Sequence, residues 1–420
     1  MKIKRDNWME YKQSQSTSFR SYGYTCLGPI LYGFASWVGE TATEAKVDHL
    51  YFLARDGYIV EKAYNLLKPI NLQWPTASYL YASRRSLYGP LLLTTRSFED
   101  MLAIISDRSS WTPRQFVEAV GLTVDYIPSW VDQSLVVYRS DVLRSETFRR
   151  LFSDLLPNIL EQSRKEYAAL KLYLQQEGLL TGEPGKFGLV DIGWNGSMQK
   201  YLKRELNYMS DKLEPQLFGM YLGLTEKSSV LGDSADAFWF NDSKSDGKSR
   251  DIVAPFKGLL ELFFSNAEES VNYFDTVRVE QGIKAIPILS KIDSEVNNDS
   301  NIQQSKLMEI RSGALCYVKD QLRNRAPMQT PKQSMKKFLR LALRPTLQET
   351  RVFGNFSFDD GGKCKLASPR RLYTYIVHPS ALKVDLLASR WKIGFLKRLI
   401  RFPLNYNKLY IFLQTLSRMR

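Results

Sequence analysis

Apolar residues recur at helical spacing from Thr25 to Thr41, with Leu27, Ile30, Leu31, Phe34, Trp37 and Val38 on one stripe, which predicts a helix that enters a core. The next apolar run, His49-Leu50-Tyr51-Phe52-Leu53-Ala54, is too short for a helix and predicts a buried strand. Arg55-Asp56-Gly57 interrupts it, and helical periodicity resumes from Tyr58 to Leu67. The same strand, loop, helix order then repeats. Ser78 to Ala82 predicts a second strand closed by Ser83-Arg84-Arg85-Ser86. Lys186 to Val190 predicts a third, followed by a loop Asp191-Ile192-Gly193-Trp194-Asn195-Gly196-Ser197 and a helix from Met198 to about Tyr208. Leu217 to Leu224 predicts a fourth strand. Strands that alternate with helices imply an α/β fold with a parallel sheet and right-handed crossovers.

Between the second and third strands, residues 91–178 predict a helical insertion, with one or two amphipathic helices from Glu146 to Glu177 and a break or kink at Pro157. Farther on, the polar stretch Asn297–Ser305 reads as a linker, Lys306–Arg325 as a helix and Pro327–Gln333 as a second linker. These signals divide the 420 residues into an α/β domain over 1–285, a helical and linker segment over 286–335, and a C-terminal region over 336–420.

Charge sets that last region apart. From Lys336 to Arg420 there are eighteen Lys and Arg against four Asp and Glu, which accounts for the whole net charge of +14. Within it, Trp391 to Arg401 interleaves apolar and basic residues as an interfacial helix does, so an anionic inner-membrane surface is one expected partner and packing on the core the other reading. No nucleic-acid-binding module is recognisable, and nucleic acid is not expected. Three widely spaced cysteines (Cys26, Cys316, Cys364) form no metal-ligand spacing and suit a reducing, cytoplasmic setting. Two histidines in all leave almost no room for a Ser-His-Asp triad or a His-rich metal site. Met1–Glu10 is charged and does not read as a signal peptide. No run of about twenty apolar residues is present.

In an open parallel sheet, ligands sit outside the carboxyl ends of the strands, where three chemically pointed loops fall. In the first, Gly57 allows a tight turn, Arg55 offers a fork of donors to phosphate oxygens, and Asp56 suits a magnesium ion, a hydroxyl or a plain helix N-cap. In the second, Arg84 and Arg85 directly follow a strand, where unpaired charge is costly to bury, so they suit an anion or open surface. In the third, Gly193, Asn195, Gly196 and Ser197 lead into a helix N-terminus and suit a phosphate monoester, with Trp194 beside them and Asp191 placed for the vicinal hydroxyls of a sugar. The glycine spacing is neither the dinucleotide fingerprint nor the P-loop. Together the loops describe a ribose carrying phosphates at both ends.

This order resembles the type I phosphoribosyltransferase fold. Leu53 to Gly57 looks like its pyrophosphate loop, Arg84-Arg85 like its basic position, and Leu189 to Ser197 like its phosphoribosyl-diphosphate motif, with one acid instead of two and a shorter loop. From about Tyr24 to Phe264 the chain also resembles a region of bacterial polysaccharide-biosynthesis proteins that is often fused to a HAD-type phosphatase. Tyr51 to Gly57, Tyr81 to Leu87 and Val190 to Gln199 carry that likeness. The resemblance implies transfer of phosphoribose from phosphoribosyl diphosphate, with Mg²⁺, onto a lipid-linked or growing glycan such as O-antigen or capsule. A separate phosphatase would then remove the 5-phosphate. HAD chemistry itself needs an Asp-x-Asp pair, and none occurs in this sequence.

The expected roles follow from that reading. Arg55, Arg84 and Arg85 would hold the departing pyrophosphate, the 193–197 loop the 5-phosphate, and Asp191 the ribose hydroxyls. Asp56 is the candidate proton acceptor and magnesium ligand, and Glu261 a second candidate base. The insertion would form a hood in which Trp111 and Trp130 either stack on sugars or pack in the core. A hydrolase using the same anion site and a non-catalytic scaffold of a glycan-assembly complex are the alternatives.

Overall fold

A single sheet organises the chain. Its strands are β1 (His49–Leu53), β2 (Thr76–Leu80), β3 (Lys186–Trp194), β4 (Gln216–Leu224) and β5 (Ala235–Asn241). They lie in the order β2-β1-β3-β4-β5, and every pairing is parallel. The architecture comes from a computed structural model. It describes residues 18–418 except 106–107, 109, 182, 184, 211–214, 245–252, 267–269, 281, 291–297 and 360–362. The stretch Met1–Glu10 and the linker residue Asn297 lie outside the described residues.

The helices that matter here are α1 (Gly28–Glu44), α2 (Gly57–Leu67), α3 (Arg84–Leu91), α4 (Glu146–Gln176), α5 (Ser197–Met209), α6 (Lys257–Phe264), α7 (Asn298–Arg323) and α8 (Pro331–Leu343). Side chains alternate across a strand, and both faces of β1 are covered. Leu50 and Phe52 share a core with α1, α2 and α6, whereas Tyr51 and Leu53 share another with α4 and α5. A parallel sheet buried on both sides gives continuous apolar runs instead of alternation, which is how β1 reads in the sequence.

Four departures from the sequence expectations have physical reasons. β3 does not stop at Val190: it continues to Trp194 because pairing with β4 persists through Asp191–Tyr221, Gly193–Gly223 and Trp194–Leu224. α4 runs on through Pro157, held by eleven buried residues along one face. α7 begins at Asn298 and so takes in most of the expected linker, and Thr330 caps α8 through a box with Gln333, which shortens the second linker. β5, which the irregular text after Ser228 did not announce, completes the sheet.

Residues 88–159 enclose a core of their own, built around Phe98, Trp111, Phe116, Phe148 and Ile159, and include a short antiparallel ribbon between Ser110–Trp111 and Val137–Tyr138. Trp111 is part of that core, while Trp130 stands at the surface under the Arg150 guanidinium at 4.2 Å.

The basic C-terminal region is woven into the main core: Phe338, Phe353, Trp391, Phe395 and Tyr410 pack in the same cluster as Ile30, Phe52 and Met220. Trp391 is fully buried and donates its indole N–H to the Ala342 carbonyl at 2.9 Å. The apolar residues Ile393, Phe395 and Leu396 of the expected interfacial helix likewise face inward, because the core offers them a dry partner. Cys26 and Cys316 are free thiols, and no described helix is long and apolar enough to cross a membrane.

Candidate active site

β1 has β2 on one side and β3 on the other, so the chain leaves β1 in one direction and β3 in the opposite one. Such a switch point parts the two following loops and opens a crevice at the strand carboxyl ends. The loops there are Ala54–Asp56 and Asn195–Gly196, and Asp191 lies on β3 one residue past its last pairing with β1.

The first loop is held in an unusual backbone shape. Arg55 adopts φ +70°, a left-handed conformation that costs a side-chain-bearing residue about 1–3 kcal/mol. Tyr79 supports it: the Arg55 N–H donates to the Tyr79 hydroxyl at 2.8 Å. Gly57 has no room for a Cβ, which would lie 2.9 Å from the Phe52 carbonyl carbon, so α2 starts tight against β1. Asp56 occupies the N-cap position of α2, yet its side chain makes no capping hydrogen bond. The carboxylate is thus left for other work.

Three carboxylates converge electrostatically on this edge. Burial pushes the Asp56 carboxyl up to about 8, with Asp191 and Glu261 adding to the shift and Arg55 opposing it. Asp191 is raised to about 6, first by burial, while the backbone N–H groups of Ile192 and Gly193 pull it down, Glu261 pushes it up and Arg84 pulls it down. Buried acids raised in this way have a heightened affinity for a cation or a proton. Glu261 accepts the Trp194 indole N–H at 3.0 Å and pairs with Lys257 at 3.3 Å, both through Oε1, so it helps to position β3.

The paired arginines part company. Arg84, at the start of α3, is exposed, close enough to influence Asp191, and has no hydrogen-bond or ion-pair partner among the described residues. Arg85 turns inward to a bidentate pair with Glu166 of α4, at 2.8 and 2.7 Å. Its place in the anion site is therefore corrected: the second arginine of the pair is structural.

The third loop is shorter than expected. Gly193 lies inside β3 at φ +103°, where a Cβ would meet the Gly223 carbonyl oxygen at 2.1 Å, so its glycine serves close strand approach and not a phosphate cradle. We expect Gly193→Ala to cost about 2–5 kcal/mol from strain and overpacking together, read as a lowered urea midpoint. Trp194 is buried, stacked on Phe240 at 6.0 Å, and so is also removed from direct ligand contact. What remains is the N-terminus of α5. Gly196 is left-handed and provides no side-chain cap, Ser197 opens the helix, and the exposed Asn195 is anchored by the Thr225 hydroxyl at 2.7 Å.

Tyr79, Lys257, Thr225 and Glu166 are the supporting residues that the sequence reading passed over. Only two of them left a signal there: Lys257 stands four residues before Glu261, and Glu166 falls on the apolar stripe of α4. A cavity of about 360 Å³ lined by Lys186, Lys203 and Asp233 lies at the opposite, N-terminal edge of β3 and β4, away from these groups. Among the described residues no three acids, histidines or cysteines stand close enough to hold a metal by themselves. No protein-family model matches the chain, and no curated protein sequence matches it either. Fold and site together define an α/β protein with an all-parallel five-stranded sheet and an acid pair at its switch point.

Proposed function

We propose that the chain is a glycan phosphoribosyltransferase, moving 5-phosphoribose from phosphoribosyl diphosphate to a sugar hydroxyl of a bacterial surface polysaccharide. The observation that carries this reading is the acid pair Asp56 and Asp191 with an arginine beside each carboxylate: Arg55 lowers the Asp56 pKa and Arg84 that of Asp191. A hydrolase could use the same groups, and acceptor dependence is what separates the two readings.

In this reading the open N-terminus of α5 takes the 5-phosphate and Arg55 and Arg84 take the pyrophosphate. Asp191 holds ribose hydroxyls. The bond from C1 to the pyrophosphate oxygen breaks with its electron pair leaving on pyrophosphate. The acceptor oxygen forms the new bond to C1, and its proton passes to Asp56. The residues fit a Mg²⁺ ion carried in on the donor, since that ion keeps most of its water and needs only one or two carboxylates; Asp56, whose affinity for positive charge Asp191 raises, and Asp191 itself would hold it. When bound, it would neutralise charge on the leaving pyrophosphate. The product keeps its 5-phosphate, so a separate phosphatase is the implied next partner.

Purified protein with phosphoribosyl diphosphate, Mg²⁺ and a panel of short glycans tests the proposal. Acceptor-dependent pyrophosphate release, with an acceptor gaining the mass of one phosphoribosyl group, is the expected result. Release of inorganic phosphate without acceptor would replace it with a hydrolase, and failure to bind the donor at all would leave the scaffold.

A further inference from the structure

The C-terminal region hides one set of apolar residues and displays another. Beyond α8 it forms α9 (Leu372–Val377), α10 (Pro379–Ala388), α11 (Lys392–Ile400) and α12 (Tyr406–Arg418). α11 faces inward, as described, but α9 and α10 do the reverse. On α9, Leu372, Tyr373, Ile376 and Val377 are all more than half exposed, at positions one helical face shares. On α10 no residue is buried, and its outer face is Ser380, Lys383, Val384 and Leu387, with Val384 and Leu387 exposed by 63% and 64%. After α11, Phe402, Leu404, Ile411 and Phe412 are exposed as well.

The charge around these residues is one-sided. From Ser368 to Phe412 the sequence has nine Lys and Arg and a single acid, Asp385. That acid is turned inward: it accepts from the Tyr375 hydroxyl at 2.9 Å and pairs with Arg370 at 2.9 Å. The outer face of the helix pair is therefore apolar and cationic, with no negative charge left on it. A soluble surface rarely leaves such a cluster bare.

We propose that α9 and α10 dock the protein on an anionic lipid bilayer. Ile376, Val377, Val384 and Leu387 would enter the headgroup boundary while Arg371, Lys383 and their neighbours meet lipid phosphates. The bilayer is the occupant because the surface is built of short helices with apolar tips between cations, and its charge complements an anionic leaflet. The inference does not depend on the reaction proposed above, though a lipid-linked acceptor would lie on the same surface.

Co-sedimentation of the full chain with vesicles of phosphatidylcholine, alone or mixed with phosphatidylglycerol, tests it without donor or acceptor. Binding only to the mixed vesicles, weakened by salt, is expected. The triple variant Ile376→Asp, Val384→Asp, Leu387→Asp and the pair Arg371→Glu, Lys383→Glu should each lower partitioning more than tenfold, since each well-placed cation contributes about fivefold. These side chains are exposed, and circular dichroism checks that the variants fold. Ile70→Asp with Leu72→Asp, equally exposed but distant in sequence, should leave binding unchanged. Absence of binding at low salt, equal binding by the triple variant, or a lipid-free dimer that the triple variant dissolves would each overturn the proposal.

Discussion

Asp56→Asn will lower turnover by about 10²–10⁴-fold and make the protein more stable. The two effects have one cause. A carboxyl raised to about 8 in the folded chain, against its ordinary value near 4 when unfolded, makes the folded state hold more protons than the unfolded state across that interval. Stability therefore falls as pH rises from about 4 to 8, and the native carboxylate is at its most destabilising above that window. Removing it should return on the order of 2 kcal/mol at pH 8 and almost nothing at pH 4, measured as urea midpoints at the two pH values. For the reaction the sign is opposite. A proton acceptor works when ionised, so kcat/KM of the wild type should climb between about pH 6 and 8, and Asp56→Asn should flatten that rise. If Asp56 served only to hold Mg²⁺, the variant's activity would recover with added Mg²⁺; a proton acceptor gives no such recovery.

The second large effect lies away from the chemistry. Arg85→Met should cost about 3–5 kcal/mol, because it leaves Glu166 charged and alone in the interior. The pair is deeply set, with side-chain exposures of 14% and 3%, and Gln162 donates to the same Glu166 oxygen at 3.0 Å. Burial works against the Arg85 charge, but Glu166 outweighs it and holds the guanidinium firmly protonated. Two glycines make the space: a Cβ on Gly89 would lie 2.0 Å from both partners, and one on Gly121, at φ +87°, would lie 2.1 Å from Arg85. Joining Arg85→Met to Glu166→Leu should restore most of the loss, seen in the urea midpoint, since replacing both charges with apolar groups avoids the stranded ion. The rescued double variant should release pyrophosphate at nearly the wild-type rate. Arg84→Ala, by contrast, should fold normally and lose about 10²–10³ in kcat. A double variant as inactive as Arg84→Ala would return Arg85 to the substrate site.

Much of this was legible from local pattern. β1 and β4 announced themselves as short apolar runs because strands covered on both faces need little polar alternation, whereas the edge strand β2, Thr76–Leu80 and only partly buried, begins two residues before the expected Ser78–Ala82. The places where pattern misled share one trait: the deciding partner is remote in sequence. Gly193 reads as a turn until Gly223 is beside it. Arg84 and Arg85 read as one feature until Glu166, eighty-one residues on from Arg85, claims the second. Trp391 to Arg401 has the periodicity of an interfacial helix, and periodicity alone does not say whether core or lipid will meet the apolar stripe. Asp56 is the reverse case. Its capping position is what the local sequence suggests, and its missing cap bond is visible only once the loop is folded.

The weaving of residues 336–420 into the first core has a consequence for how the protein is made. α1 leaves the ribosome about three hundred residues before Phe338, yet Ile30 and Phe34 share their cluster with Phe338, Trp391 and Tyr410. At ordinary rates of synthesis, the interval between these segments is on the order of tens of seconds. During that time α1 can pack on β1 and α2, but the part of its surface that meets Phe338 and Trp391 stays uncovered. A chain that lacks residues 336–420 would therefore have an unfinished core instead of a smaller complete fold, and the stretch before them cannot be a free-standing domain.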